Sequence, residues 1–317
     1  MQAVNFCPQC GAPLERRDVG DRVRPVCPAC GFIYYLNPVV AAGALVEQAG
    51  RVLLIRRGVE PGKGLWGLPA GYVEADESAE EAAIRETREE CGLDVALDGL
   101  IGVYSFGQDT GSRGVLILYA AHVVGGEPRA GDDATEVAWF APDALPPEEE
   151  IAFWTHRQAL RDWRRARAIR YVAAAPEQIA AIEEMSQAYG LPERELVVGG
   201  ETPDEVLVAA LDGDEVVGFA HVVVKQPGHQ AWLRQVFVLP NHRRWGIGTR
   251  LIEQAVAFVR ERGVHSLLAE VDPGNVGIGA YLKAGFRACG FLDVPCPEGD
   301  TRVCGPVLFL VRDLSLS

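Results

Sequence analysis

Gly71–Leu93 reads GYVEADESAEEAAIRETREECGL, a stretch dense in carboxylates. Within it, Ala79, Ala82, Ala83, Ile84 and Thr87 supply a small-residue and apolar side, which predicts a helix from Ser78 to Cys91. In RETREE, Glu86 and Glu90 stand four apart and Glu89 follows Glu86 by three, so a helix brings their carboxylates to overlapping faces. Like charges at that spacing destabilise a helix unless something offsets the repulsion. Magnesium or manganese does so, because hard divalent cations take oxygen ligands. Glu74 precedes the helix in PAGYVEADE, near enough to assist, and Gly71 and Gly92 permit sharp turns at either end. Asp76, Glu80 and Glu81 read as solvated surface. The competing interpretation is a plain acidic surface helix.

The surrounding chain sets the context. At 317 residues it exceeds the usual size of one domain, and 48% apolar with 23% charged residues is globular. A net charge of -14 argues against broad nucleic-acid binding, which needs phosphate neutralisation. No basic, apolar leader opens the sequence and no apolar run approaches eighteen residues. The expectation is a cytoplasmic protein with no membrane partner.

Cys7, Cys10, Cys27 and Cys30 form two CxxC pairs, each followed by a glycine, Gly11 and Gly31. Four thiolates at this spacing suit a closed tetrahedral site for structural Zn2+, and iron with the same ligands stays open. A module this short has little core, so metal would supply much of its folding energy.

Gly71, Glu77, Arg85, Glu86, Glu89, Glu90, Gly92 and Leu93 occupy every fixed position of the Nudix box, with Thr87 at its apolar position as a mild departure. The chain from Asn5 to about Ala166 therefore resembles a Nudix hydrolase with an N-terminal zinc ribbon. The resemblance implies a mixed-sheet α/β/α sandwich that hydrolyses a nucleoside diphosphate linked to a further moiety X. It makes Glu86 and Glu90 the principal ligands of Mg2+ or Mn2+, and gives Glu89 a metal-binding or water-activating part. Arg85 would orient the carboxylates, Glu77 would support the helix, and Glu74 with the Ala70–Gly71 backbone would complete the metal shell. Ala70 stands where many relatives have glycine, and a backbone carbonyl survives that change. NPVVAAGALVE and GLWGLPAGYVE are similar to zinc-ribbon enzymes that cleave FAD or ADP-ribose. The signature of the NADH-cleaving group is replaced by GQDTGSRGVLILYAAHVV. Arg56, Arg57, Trp66, Tyr104 and Phe106 are candidates for phosphate contact or base stacking, and His156 reads as part of the closing helix rather than as a base.

After Ile169 the pattern restarts. VFVLPNHRRWGIGTRLIEQAVAF places a strand before a glycine-rich turn and an amphipathic helix. In Arg243-x-x-Gly246-x-Gly248, amides from Arg244 through Ile247 to Thr249 can meet a pyrophosphate at the positive end of the helix. Together with AEVDPGNVGIGAYLKAGFRACGF this resembles the GNAT acyltransferases, over about Ile169–Leu314. The resemblance implies a mixed central sheet that binds acetyl-CoA: the Arg243–Gly248 loop on its pyrophosphate, Val236 and Val238 beside its pantetheine arm, and Asn275 in contact. Tyr281 becomes the candidate acid for the CoA thiolate, and His221 and Glu270 are unranked candidates for the base.

The expected architecture is thus α/β and α+β multidomain: ribbon 1–35, hydrolase domain 36–166 and acyltransferase domain 167–317. The expected function is bifunctional, a metal-dependent hydrolase of FAD, ADP-ribose or a related dinucleotide and an N-acetyltransferase of unknown amine acceptor. The alternative is a pyrophosphatase acting on NADH or CoA-type substrates, with a regulatory CoA-binding domain. Both superfamilies often form homodimers, and nothing in the residue pattern requires one.

Overall fold

A computed structural model describes residues 4–107, 113–191, 205–225, 230–272, 277–294 and 305–314. The chain divides into two compact units, Met1–Leu160 and Arg161–Ser317. Among the described residues no helix is long and apolar enough to cross a membrane.

The first unit opens on a hairpin, β1 (Glu15–Val19) and β2 (Arg22–Val26), paired antiparallel from Glu15↔Val26 to Val19↔Arg22. The sequence showed little periodicity here, because both strands are largely exposed and carry no apolar alternation. A mixed sheet follows, built on β3 (Val39–Gln48) and β4 (Arg51–Arg57) with the short β5 (Trp66–Gly67) and β6 (Ala70–Tyr72). Ala49 and Gly50, both at positive φ, make the two-residue turn between β3 and β4, as right-handed strand twist prefers. Helix α1 (Ala79–Cys91) comes next, then β7 (Leu93–Phe106), β8 (Gly114–Gly126) and β9 (Ala134–Phe140). The order is β5-β4-β3-β8-β7, with β6 on β3 and β9 on β4, and only β3–β8 is parallel. Ala42 and Tyr119 of the sheet pack on Ala82 and Ala83 of α1, the small-residue face read from the sequence.

Helix α2 (Trp154–Ala168) contains the division between the units. The run EEEIAFWTHRQALRDWRRARAI predicts one continuous helix, but its first residues stand outside α2. Glu148–Glu150 form a single 3-10 turn and Ile151 bridges in parallel to Trp66.

The second unit runs β10 (Arg170–Ala173), α3 (Pro176–Ala188), β11 (Glu205–Asp212), β12 (Glu215–Lys225), β13 (Gln230–Val238), α4 (Ile247–Arg260), β14 (Ser266–Val271), α5 (Ile278–Lys283), β15 (Arg287–Val294) and β16 (Gly305–Asp313). The sheet order is β10-β11-β12-β13-β14-β16-β15, with β13–β14 the one parallel pair in it. A parallel pair needs a crossover, and α4 provides it. Leu251, Ile252, Ala255, Val256 and Val259 of α4 join the buried cluster of this unit.

Candidate functional site

Ser78 caps α1 in a reciprocal box: its hydroxyl accepts the Glu81 N–H at 3.2 Å, and the Glu81 carboxylate accepts the Ser78 N–H at 2.8 Å. Glu81 is exposed, as the sequence suggested, and its carboxylate also serves the helix start. Glu80 is likewise engaged, as a hydrogen-bond partner of Tyr119, whose phenol burial and this contact push up to about 12. Gly92 closes the helix at φ 70, donating to the Arg88 carbonyl at 2.9 Å.

The fixed ends place Arg85 among three carboxylates. Its Nε and Nη2 fork onto Glu77 at 3.0 and 2.6 Å, and its Nη1 donates to Glu86 at 2.8 Å and Glu89 at 2.9 Å. Nη2 also reaches the Tyr72 carbonyl at 3.1 Å. Arg85, with the Glu74 N–H, holds the Glu77 carboxyl down at about 2. Glu74 is exposed, and the contact it gives this group is that N–H, 3.0 Å from Glu77 Oε1.

Glu90 lies deeper, 3% exposed, and accepts the Ala70 N–H at 3.0 Å. Burial above all, then the charges of Glu86 and Asp133, push its carboxyl up to about 8 against the opposing pull of Ala70 and Arg57. Glu86 is also raised, chiefly by burial, with Glu89 and Asp132 adding repulsion against Arg85. Asp132 and Asp133 escaped the sequence reading because GDDAT looks like a turn. The loop bearing them lies over the C-terminal end of α1 through the Gly131 N–H on the Glu90 carbonyl, 3.1 Å.

Gly71 is the tightest position of the site. A Cβ there would lie 2.1 Å from Glu86 Oε1 and 2.2 Å from its Cδ, so the carboxylate occupies the space a side chain would take. Thr87, the departure from an apolar residue, is fully buried with its hydroxyl on the Ala83 carbonyl at 2.7 Å. Trp66 is buried under Phe140, with the Arg56 guanidinium 4.7 Å over its ring, so it packs the sheet rather than offering a stacking face.

The two candidate metal centres differ in how far they are formed. The four cysteine sulfurs lie within 4.8 Å of one another, with 3.6 Å from Cys7 to Cys30 and 3.4 Å from Cys10 to Cys27. That spacing fits a tetrahedron of Zn–S bonds near 2.3 Å. Gly11 (φ 73) and Gly31 (φ 76) make matching turns, closed by their N–H groups on Cys7 O and Cys27 O. Among the described residues this is the one cluster of such closeness. The carboxylates of α1 are not drawn into one sphere, since Arg85 holds Glu86 and Glu89 while Ala70 holds Glu90. Their chemistry nevertheless fits a hard divalent ion: oxygen donors, partly buried, at mutual repulsion.

In the second unit the parallel ladder of β13 and β14 covers only Gln230↔Ser266 to Leu233↔Ala269. There the register against β12 skips Arg234, between Leu233↔Val222 and Gln235↔His221. A bulge bends and twists its strand, which explains why β13 leaves β14 at this point. Val236 and Val238 lie on the diverging end and pack against the buried cluster. Arg243 Nε donates to the Val238 carbonyl at 2.8 Å, and Arg244 takes a left-handed φ of 71. Gly246 (φ 79) is the N-cap of α4 and gives no side-chain cap, and the first helical bond is Arg250 N–H to Gly246 O at 3.0 Å. The amides of Ile247, Gly248 and Thr249 thus point outwards from the helix start. A Cβ on Gly246 would meet nothing within 4 Å, so the glycine serves its backbone angle and an open approach. Gly248 lies where a Cβ would touch Val238 and Ala280, both at 3.8 Å.

Tyr281 is buried in α5, edge-on to Phe286 at 5.7 Å. Asn275 lies outside the described residues. His221 is buried on β12 with Nε2 3.6 Å from Glu205, and Glu270 sits half-buried on β14 opposite Phe309.

Comparison with known proteins gives the family of each domain. The NUDIX domain model matches residues 37–163, the Nudix N-terminal model residues 5–36, and the Acetyltransferase (GNAT) family model residues 139–286, so the first and last overlap. An ADP-ribose pyrophosphatase of Methanocaldococcus jannaschii is 41% identical over 133 residues, 41% of this chain and 76% of that protein. A NAD-capped RNA hydrolase NudC of Pseudomonas aeruginosa is 37% identical over 145 residues, 45% of this chain and 49% of the relative. A crystal structure of a NUDIX hydrolase from Nitrosomonas europaea, 34% identical, covers 52% of this chain and 92% of its own with a TM-score of 0.48. The chain is an enzyme of the Nudix hydrolase family, with the zinc ribbon of that family ahead of its catalytic domain and a GNAT acetyltransferase domain behind it.

Proposed function

We propose that the first unit cleaves the diphosphate of ADP-ribose, FAD or a related dinucleotide, and that the second transfers acetyl from acetyl-CoA to an amine. The observation that carries the first half is Arg85, which orders Glu77, Glu86 and Glu89 on the face of α1 beside buried Glu90. Glu86, Glu89 and Glu90, with Glu74 and the Ala70–Gly71 backbone, would hold Mg2+ or Mn2+. When bound, such ions neutralise the diphosphate and lower the pKa of an attacking water. Among Glu86, Glu89 and Glu90, Glu89 is the most exposed and is the candidate to take up the proton of that water. Arg85 keeps the carboxylates in place, and Glu77 anchors Arg85. Asp132 and Asp133 add charge from a second loop. Cys7, Cys10, Cys27 and Cys30 hold Zn2+ as a structural ion.

In the second unit Arg243, Arg244, Gly246, Ile247, Gly248 and Thr249 receive the pyrophosphate, and Val236 and Val238 flank the pantetheine arm. Asn275 is retained as a cofactor contact from the GNAT resemblance. With acetyl-CoA bound, the amine nitrogen would bond to the acetyl carbon as the C–S bond breaks, its proton would pass to a base among His221, Glu270 and water, and Tyr281 would protonate the departing thiolate and be reprotonated from solvent. The proposed limits are 1–35, 36–166 and 167–317, and the proposed location is cytoplasmic.

The similarity to ADP-ribose pyrophosphatase favours ADP-ribose. The similarity to NudC supports NADH-like substrates as a second reading, although GQDTGSRGVLILYAAHVV replaces the NADH signature. A magnesium-dependent panel of ADP-ribose, FAD, NADH, CoA and sugar nucleotides tests the reading. Cleavage of none of them by protein with intact Glu86 and Glu90 would refute it.

A further inference from the structure

His156 is a buried histidine that the proposed chemistry does not use. It stands in the first turn of α2, 5% exposed, and its Nδ1 accepts the Leu68 N–H at 3.1 Å. A ring nitrogen that accepts carries no proton, so this imidazole is the neutral tautomer with hydrogen on Nε2. Burial, assisted by the charge of Arg57, pushes it down to about 3, which keeps the acceptor available at any ordinary pH. Gly67 makes room for the ring: a Cβ there would lie 3.1 Å from Nδ1. Phe153 meets the ring edge-on at 5.2 Å. Just ahead, Ala152 N–H donates to Trp66 O at 2.8 Å beside the Ile151–Trp66 bridge. Residues 151–156 are thus fastened along residues 66–68.

What this fastening holds is the next few residues. Two beyond Leu68, the Ala70 N–H meets Glu90, and one further, Gly71 lies against the Glu86 carboxylate. On its other side the segment is tied to β3, by Ala44 N–H on Pro69 O at 3.1 Å and by Gly43↔Ala70 pairing. Leu68–Gly71 is therefore fixed from both sides, and the His156 side is made by one side-chain acceptor.

We infer that His156 is a positioning residue for the hydrolase site, whose Nδ1 holds the Leu68–Gly71 segment against the carboxylates of α1. This rests on the diphosphate-hydrolase reading. Without the acceptor, the Leu68 N–H is buried unpaired and the segment shifts to satisfy it. A displacement of about 1 Å beside reacting groups costs on the order of a hundredfold in rate.

The test compares His156→Asn with His156→Leu in the full-length protein. The two replacements have nearly the same shape, but Asn Oδ1 stands at the position of Nδ1 and Leu offers no acceptor. Three readouts are taken: amide exchange at Leu68 and Ala70, binding of Mn2+ alone, and kcat and KM for ADP-ribose. His156→Leu should lose protection at Leu68, bind Mn2+ about tenfold more weakly and lose about ten- to a hundredfold in kcat with KM nearly unchanged. His156→Asn should restore all three to within about threefold. Equal behaviour of the two variants, whether both intact or both impaired, overturns the proposal, since ring packing alone would then account for the residue. If His156→Leu does not fold, His156→Gln replaces it, because its acceptor reaches the Nε2 position instead. Wild-type protein that cleaves no diphosphate would end the hydrolase reading, while amide exchange and Mn2+ binding would still decide the role of His156.

Discussion

Arg85 and Glu90 show two opposite ways of keeping a carboxylate group together. Glu77 is held charged by a forked guanidinium, whereas Glu90 is buried with one N–H and carries its proton up to about pH 8. Its folded pKa lies above the unfolded value, so the native state binds this proton more tightly. That stabilisation is complete below about pH 4.5 and is lost as pH rises through 8. Glu90→Gln should therefore gain stability relative to the wild type as pH rises from 5 to 9 without added divalent metal. It should also lose hydrolysis. Denaturant unfolding at pH 5 and 9 checks the first point, and equal differences at both would refute it. Gly71→Ala is the steric counterpart: its methyl enters the space of the Glu86 carboxylate, and kcat should fall about a hundredfold. A crystal structure of this variant should show Glu86 displaced. At this scale the glutamate spacing was legible because helix periodicity alone aligns Glu86, Glu89 and Glu90. Glu81 carries the Ser-x-x-Glu spacing of a capping box and was legible, whereas Asp132 and Asp133 were not, since they act from a loop more than forty residues away.

Among the elements, α1 was the most legible and β7 the least. Helix α1 has a box at one end and a left-handed glycine at the other, and both leave a local signature. Ser78→Ala should cost about 1 kcal/mol in stability, and Ser78→Asp should recover most of it. Thermal unfolding of the three proteins measures this. Strand β7 went unread because its pairing with β8 shifts register at Asp94/Val95, Leu97/Gly99 and Leu100/Gly102, which destroys the alternation that marks a strand. Strand β15 was missed too: its pairing shifts between Ala288 and Gly290, and Gly290 interrupts the run. The hairpin β1–β2 was invisible because its strands are largely exposed and present no apolar face. One zinc per chain should be found by metal analysis, and its removal by a thiol reagent should abolish amide protection in that hairpin.

For the whole molecule, the order of motifs was legible and the detail of the second sheet was not. Sequence located the glycine turn, yet the departure of β13 from β14 follows from the skipped Arg234, which only pairing reveals. Gly246→Val forces a branched side chain into φ 79 at the start of α4 and should weaken acetyl-CoA binding at least tenfold by calorimetry. Unchanged affinity would remove the cradle from consideration.

Arg244 keeps a left-handed backbone without being glycine, at a cost of about 1 kcal/mol. In a pooled substitution library, two screens should therefore disagree about this position. Enrichment for folded protein alone would drift towards glycine or asparagine, which adopt that backbone freely. Enrichment on an immobilised CoA resin would retain arginine, and the gap between the two rankings would measure how much of the fold this chain gives up for its ligand.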